Sequence, residues 1–376
     1  MFNFRTPKAA PAGAKTYTNT ARVRFSLAVP FNLPTEILRD EGLLAALKGM
    51  QDDVFDLNFT CHIPPFTRDA YAVFQSPMQA QVHVRDMLRL QERTGLKVSA
   101  LFNNTYVPPT KENLQLFIEN LRPLYDLGLR SATVPHTLWM KWGALQQAFP
   151  ELYIKNTVLR EVRSGQDFWN TAMAGFDYVN LHRIVARNRP VLKEIRRAQG
   201  KFEKEYGKKV VISLLDGEGC QGDCGLWVEH YQHTLQHPDA DDPDTRSEVF
   251  RMPINVGCMK LAGGGGQYPM TFSAVNLSPF RDDLEELLEF VDVLKMGSRL
   301  NRDNFTRLLG HARMLKGRIL PEAEPGLGEP QMGDGSPQQL EITKKWRQVI
   351  KVCRFQCWNC SLCPEMQLLF DQHVGG

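Results

Sequence analysis

Eight short runs rich in β-branched and aromatic residues, each separated from the next by a longer segment, constrain this chain more than any other feature. They fall at Val23–Val29, Val54–Phe59, Val98–Phe102, Ser131–Val134, Tyr153–Val158, Tyr178–Leu181, Val210–Leu215 and Val291–Lys295. Most are followed by stretches in which apolar residues recur every three or four positions, for instance Thr35–Met50, Met78–Thr94, Lys111–Leu127, Pro190–Tyr206 and Asp303–Leu315. Strands alternating with helices in this way pair in parallel, since each crossover helix carries the chain back to begin the next strand in the same direction. Eight alternations predict a (β/α)8 TIM-like barrel. A doubly wound sheet is the alternative, but its first strand should lead into a Gly-rich phosphate loop, whereas here it runs into Pro30-Phe31-Asn32-Leu33-Pro34.

Composition narrows the class. Of 376 residues, 45 are Lys or Arg and 42 Asp or Glu, for a formal charge of +3, and 43% are hydrophobic. That balance fits a globular protein with a large core and excludes disordered, coiled-coil and collagen-like chains. No apolar run reaches the roughly 18 residues of a membrane span, and Met1–Lys15 lacks the apolar stretch of a secretory signal, so a cytoplasmic protein is expected. A charge so near zero also makes bulk nucleic-acid binding a poor expectation.

Four segments are predicted. Residues 1–20, rich in Ala, Pro, Thr and Lys, form a flexible basic tail, since the first acidic residue is Glu36. Residues 21–316 form the barrel, with an insertion at about 218–280 that carries an acidic stretch, Asp239–Asp244, and the glycine run Gly263–Gly266. Those glycines lack the framework of a P-loop and read as a turn. Residues 317–340 form a linker, because Pro321 to Pro337 holds four Pro and four Gly. Residues 341–376 form a cysteine-rich segment opening with a helix at Glu341–Val352.

Barrels of this kind place their chemistry at the C-terminal ends of the strands, and those ends are polar here. The second run ends in Cys61-His62, the third in Asn103-Asn104, the fourth in His136, the fifth near Asn156 and the sixth in His182-Arg183. The seventh ends in Asp216-Gly-Glu218-Gly-Cys220, and the eighth in Lys295 followed by Ser298-Arg299. Asp216, Glu218, His136 and His182 are candidates for moving protons, and Lys295 and Arg299 for binding an anionic substrate.

The eight cysteines divide in two. Cys353-x3-Cys357-x2-Cys360-x2-Cys363-Pro364 places four within eleven residues. Thiolates select zinc, copper(I) or iron–sulfur clusters, and two or three intervening residues let successive sulfurs converge on one centre. Structural zinc sites usually hold two Cys-x-x-Cys pairs apart by a long loop, so this uninterrupted run closing in Cys-Pro points to a 4Fe-4S cluster, with zinc as the alternative. Its first three cysteines also have the spacing of radical S-adenosylmethionine enzymes, but there the motif follows the first strand. The second group is Cys220-x3-Cys224 in the Gly-rich loop after the seventh run, with Cys61 and Cys258 as the two distant candidates to complete a four-ligand set. His230, His233 and His237 share a helical face downstream and read as zinc ligands, outer donors or surface residues.

The segment Leu215-Asp-Gly-Glu-Gly-Cys220-x3-Cys224 with His230 downstream, together with Asp177-Tyr-Val-Asn180 and Leu294-Lys-Met-Gly-Ser-Arg299, resembles the collagenase-like peptidases of unknown catalytic type. The resemblance spans roughly residues 20–315 and implies a TIM barrel. It also implies a 4Fe-4S cluster on four cysteines and oxygen-independent hydroxylation of tRNA, ribosomal RNA or the ubiquinone ring. Cys220 and Cys224 match that family's paired ligands, whereas the other two ligands do not map by spacing. The family's Gly-Arg after the eighth strand is interrupted here by Ser298, and the four-cysteine tail lies outside the resemblance, which makes a second cluster the expectation.

An iron–sulfur redox or oxygen-transfer enzyme acting on a small or nucleotide-like substrate, with a possible redox partner protein, is therefore the leading reading. A peptidase finds no Gly-x-Ser-x-Gly elbow, no His-Glu-x-x-His and no assignable Cys-His pair. A non-catalytic electron-transfer or scaffold subunit is the remaining alternative.

Overall fold

The computed structural model describes residues 24–30, 33–67, 77–216, 277, 280–296, 302–319, 337–354, 356, 359–360 and 362–372. Eight parallel strands close into one barrel in sequence order: β1 Phe25–Val29, β2 Val54–Thr60, β3 Val98–Leu101, β4 Ser131–Val134, β5 Tyr153–Asn156, β6 Tyr178–Asn180, β7 Val211–Asp216 and β8 Val293–Met296. Closure is sealed where Phe25, Ser26 and Leu27 pair with Leu294, Lys295 and Met296. The helices are α1 Leu33–Ile37, α2 Glu41–Lys48, α3 Pro77–Thr94, α4 Lys111–Asp126, α5 Thr137–Lys141, α6 Ala144–Ala148, α7 Gly165–Met173, α8 Arg189–Tyr206, α9 Arg281–Leu288 and α10 Arg302–Ile319. Beyond the barrel stand α11 Pro337–Val352 and α12 Leu362–Asp371. The (β/α)8 TIM-barrel expectation is met. No helix among the described residues is long and apolar enough to cross a membrane.

One predicted helix is two. Thr35–Met50 breaks at Asp40, whose carboxylate accepts from the backbone N–H groups of Gly42 and Leu43 and so starts α2 afresh. The side chain offers the two donors an alternative to continuing the previous turn. α10 runs to Ile319 and α11 starts at Pro337, and residues 320–336 of the predicted linker lie outside the described residues.

Strand alternation separates two environments. Leu57, Phe59, Ala100, Val134, Ile154, Val179, Ile212, Leu214 and Leu294 point outward into the layer shared with the helices, the main core. The opposite parity faces the lumen. Its lower level is apolar, with Tyr153, Tyr178, Val211 and Val293 in one cluster with Phe55, which a register shift opposite Phe25–Ser26 turns to the lumen despite sharing the parity of Leu57 and Phe59. Above it, where barrels ordinarily stack branched aliphatics, this one is polar. Lys155 and Asp56 form an ion pair, 4% and 0% exposed. Ser26 donates to Asp56 at 2.5 Å, Asn58 to Ser26 at 3.1 Å, Ser99 and Ser131 bond at 2.9 Å, and Ser213 donates to Asn180 at 2.9 Å. Burial pushes the Lys155 ammonium down, and the Asp56 carboxylate opposes that shift.

The cysteine-rich segment is docked on the barrel. Trp346 of α11 is fully buried with Ile342, Ile350 and Met366. Arg347 donates to both oxygens of Asp283 at 2.6 and 3.0 Å and to Asp282 at 2.5 Å, and stacks on Phe280 with 4.4 Å to the ring centroid. This fork on a half-buried carboxylate is the geometry that lets an arginine fix orientation as well as charge.

Candidate active site at the strand ends

The C-terminal ends of β4, β5 and β6 bring histidines and arginines together. His136 follows β4 and caps α5, with its ring edge-on to Trp139 at 4.8 Å. Trp139, Phe117, Phe66 and Phe102 form the aromatic floor beneath it. After β5 the chain makes a single tight turn, Val158–Arg160, and then Glu161 at φ +46°, the left-handed region that a side chain ordinarily avoids. Arg160 reaches across to the β4 end, where its Nε donates to the carbonyl of Pro135 at 2.8 Å and its Nη2 meets Nδ1 of His136.

A guanidinium can only donate, so Nδ1 of His136 accepts and the ring proton sits on Nε2. Burial pushes this histidine down to about 4, with the Arg160 charge acting in the same direction and the Val107 backbone opposing. His182 stands similarly after β6. Arg163 Nη2 lies 3.4 Å from its Nε2, and the backbone N–H of Ile184 lies 3.4 Å from Nδ1. Burial, then Arg163 and Arg183, push it down to about 3. Both histidines are therefore neutral at physiological pH. They are suited to orienting the arginines rather than to donating protons.

Other predicted residues are placed differently. Asp216 shares the parity of Ile212 and Leu214, so it faces the helix layer and not the lumen. Its Oδ1 accepts from the backbone N–H of Leu277 at 2.9 Å, and its Oδ2 lies 3.2 Å from Nε2 of His311 on α10. With both oxygens engaged and 3% exposure, it ties the end of β7 to Leu277 and α10 instead of presenting a free catalytic carboxylate. Cys61 has the outward parity of Leu57 and Phe59, lies fully buried in the main core, and has its thiol pushed up by burial. This is the setting of a packing residue, which removes it from the ligand set. Lys295 keeps lumen parity, in register with Ser26 on one side and Leu215 on the other. Glu218, Cys220, Cys224, His230, His233, His237, Cys258, Gly263–Gly266, Arg299 and Cys357 lie outside the described residues.

The tail's remaining cysteines, Cys353, Cys360 and Cys363, are reduced and stand in no disulfide. Cys363 is pushed up to about 11 by burial, moderated by a Trp346 hydrogen bond and reinforced by Cys353 and Cys360. Arg187, in the turn after β6, has its face toward Trp346 at 5.9 Å and feels the charges of Cys353, Cys363 and Asp216. Among the described residues, no three His, Cys, Asp or Glu side chains stand close enough to hold a metal ion.

Sequence reasoning passed over Arg160, Arg163 and Arg187, and the Asp56–Lys155 pair. The signal for the pair was present: Asp56, Asn58 and Thr60 alternate within an otherwise apolar strand. The arginines lie one turn beyond their strands, where no periodicity marks them.

The fold and the polar strand ends define a (β/α)8-barrel protein with a docked cysteine-bearing helix pair. No protein-family model matches the chain, and no curated protein matches it. Among solved structures it is similar to a U32 peptidase (13% identity, TM-score 0.40, covering 75% of this chain and 94% of that one). It is also similar to a sugar phosphate isomerase/epimerase from Parabacteroides distasonis (12%, 0.33, 84% and 98%) and to the carboxyl transferase domain of Rhizobium etli pyruvate carboxylase (14%, 0.28, 94% and 72%). Likenesses this distant carry no argument about the chemistry of this chain.

Proposed function

We propose that the protein is an iron–sulfur oxidoreductase, of hydroxylation or related oxygen-transfer type, that acts on a small or nucleotide-like substrate at the strand-end face of the barrel. The observation that carries this reading is the docking of the α11–α12 segment, which bears Cys353, Cys360 and Cys363, beside that face, where Arg187 feels the charges of Cys353, Cys363 and Asp216. An all-thiolate donor set suits a 4Fe-4S cluster, and among the described residues Cys353, Cys360 and Cys363 are not spent in disulfides.

Cys353, Cys357, Cys360 and Cys363 would hold one cluster, and Cys220 and Cys224 with partners still to be identified would hold a second. A cluster supplies one-electron transfer. The chain's own residues do the rest: Arg187 offsets thiolate charge beside the barrel, the Arg347–Asp283 fork fixes the tail's orientation, and the mouth arginines bind and orient substrate. A redox partner protein would supply electrons.

Anaerobic purification followed by iron and acid-labile sulfide assays tests the reading. Iron and sulfide are expected in equal amounts, and replacing Cys353, Cys360 and Cys363 by Ser should lower both, with the visible absorption that remains coming from the second cluster. A colourless protein with stoichiometric zinc overturns it.

A further inference from the structure

We infer that Arg160, held by Pro135 and His136 at the junction of the β4 and β5 ends, is the anchor of an oxyanion subsite that takes the phosphate or carboxylate group of the substrate. This deepens the proposed function by naming a substrate class, and it rests on the strand-end face being the substrate side, but not on any metal.

Several independent features support it. Arg160 is exposed overall, yet burial around its guanidinium pushes its pKa down, and its orientation is fixed by a backbone carbonyl on Nε and a ring nitrogen on Nη2. Ordering a long cationic side chain costs rotamer entropy, and an exposed arginine with nothing to bind is usually left loose. No carboxylate pairs with it among the described residues, although Arg163 beside it is paired with Glu161 at 3.1 Å and Arg130 with Glu151 at 2.9 Å. Among the described residues it therefore has no carboxylate partner.

The ring that holds it cannot supply that charge. His136 is neutral and uses its only free lone pair on Arg160, leaving the fork's other N–H groups to donate outward. The left-handed Glu161 directly after Arg160 is the one non-glycine residue at positive φ among the described residues. Strain of this kind persists where surrounding structure holds a residue in place for use. On the next strand end Arg183 stands beside His182 together with Arg163, whose charge is shared with Glu161, which adds positive charge near the mouth.

The experiment titrates the full-length protein with inorganic phosphate and, separately, with malonate, by calorimetry and by ³¹P line broadening for the phosphate arm. Saturable binding at one site is expected for at least one probe, and which one binds tells a phosphate-bearing from a carboxylate-bearing substrate. Arg160→Gln should weaken that binding about tenfold or more, since it removes a charge-assisted fork. Arg160→Lys should fall between, keeping charge without the fork. The exposed Arg39→Gln, far from the strand ends, should bind as the wild type does. Because Arg160 is exposed, the Gln and Lys variants should keep the wild-type melting transition. Wild-type affinity in Arg160→Gln, or no saturable binding of either probe, overturns the subsite. Iron assayed on the same samples separates the two readings: iron without anion binding sinks only the subsite, and anion binding without iron sinks only the cofactor.

Discussion

Two of the barrel's cations, Lys155 and Arg160, have contrasting surroundings. Lys155, in the lumen, meets a carboxylate with both partners sealed from water; Arg160, at the mouth, meets a carbonyl and a neutral imidazole and remains partly open to solvent. A buried charge survives only with a counter-charge and hydrogen bonds, and Asp56 receives both from Lys155 and Ser26. A solvent-exposed cation carries no such requirement, so Arg160, which meets no carboxylate among the described residues, leaves room for a ligand to provide one. Burial, not residue type, separates the structural cation from the candidate binding cation.

The largest effect should come from breaking the lumen pair. Asp56→Ala leaves an ammonium in a dry interior and should cost about 3–5 kcal/mol of global stability, read by urea unfolding. The double variant Asp56→Leu with Lys155→Met should recover most of that loss, because a matched apolar pair removes both desolvation penalties. If the single variant costs nothing, the lumen is wetter than its burial states, and the contrast with the mouth collapses.

Next in size is the tail. Trp346→Ala empties the centre of the small Ile342–Ile350–Met366 cluster and should remove about 3–5 kcal/mol of local stability. Limited proteolysis should then cut α11 and α12 while the barrel's thermal transition stays near wild type. A uniform loss across both would mean that the Arg347–Asp283 contact makes the tail and barrel one cooperative unit.

The contrast between these regions also shows what could be read in advance. The barrel was legible because its strands and helices obey two clean periods, and eight alternations leave few topologies. Lumen and core faces follow from parity, so the outward placement of Asp216 and Cys61 was readable by counting from Leu214 and Phe59. What no period reveals is a contact between residues far apart in sequence. Arg160 finds His136 across 24 positions, and Lys155 finds Asp56 across 99. The return of the cysteine segment to the barrel depends on Arg347 meeting Asp283, a pairing of two ordinary charged residues that only folding selects.

A pH series sharpens the mouth. His136 and His182 have folded values pushed down to about 4 and about 3, and His83 on α3 to about 3, all mainly by burial. Above the ordinary histidine range both folded and unfolded chains leave these rings neutral. As pH falls below about 6.5, the unfolded chain takes protons that the folded one refuses, so stability falls toward acid until the folded values are reached. Each ring should contribute a slope of roughly 1.4 kcal/mol per pH unit across that window. His182→Asn should flatten the acid limb by one such increment, measured as the urea midpoint between pH 6.5 and 4. An unchanged limb would mean that His182 is already protonated in the folded protein.

The smallest effect belongs to Cys61, and its use is discrimination. Placed among core residues with an elevated thiol, it should behave as a small hydrophobe. Cys61→Ala should cost about 1 kcal/mol through a minor cavity. Cys61→Ser should cost more, because a hydroxyl buried without a partner loses its hydration. Neither change should alter iron content, whereas Ser at Cys353, Cys360 or Cys363 should lower iron with little effect on the barrel's unfolding midpoint. Iron loss on Cys61→Ala would return this thiol to the ligand set and require β2 to turn its end toward the mouth, against the parity that Leu57 and Phe59 establish.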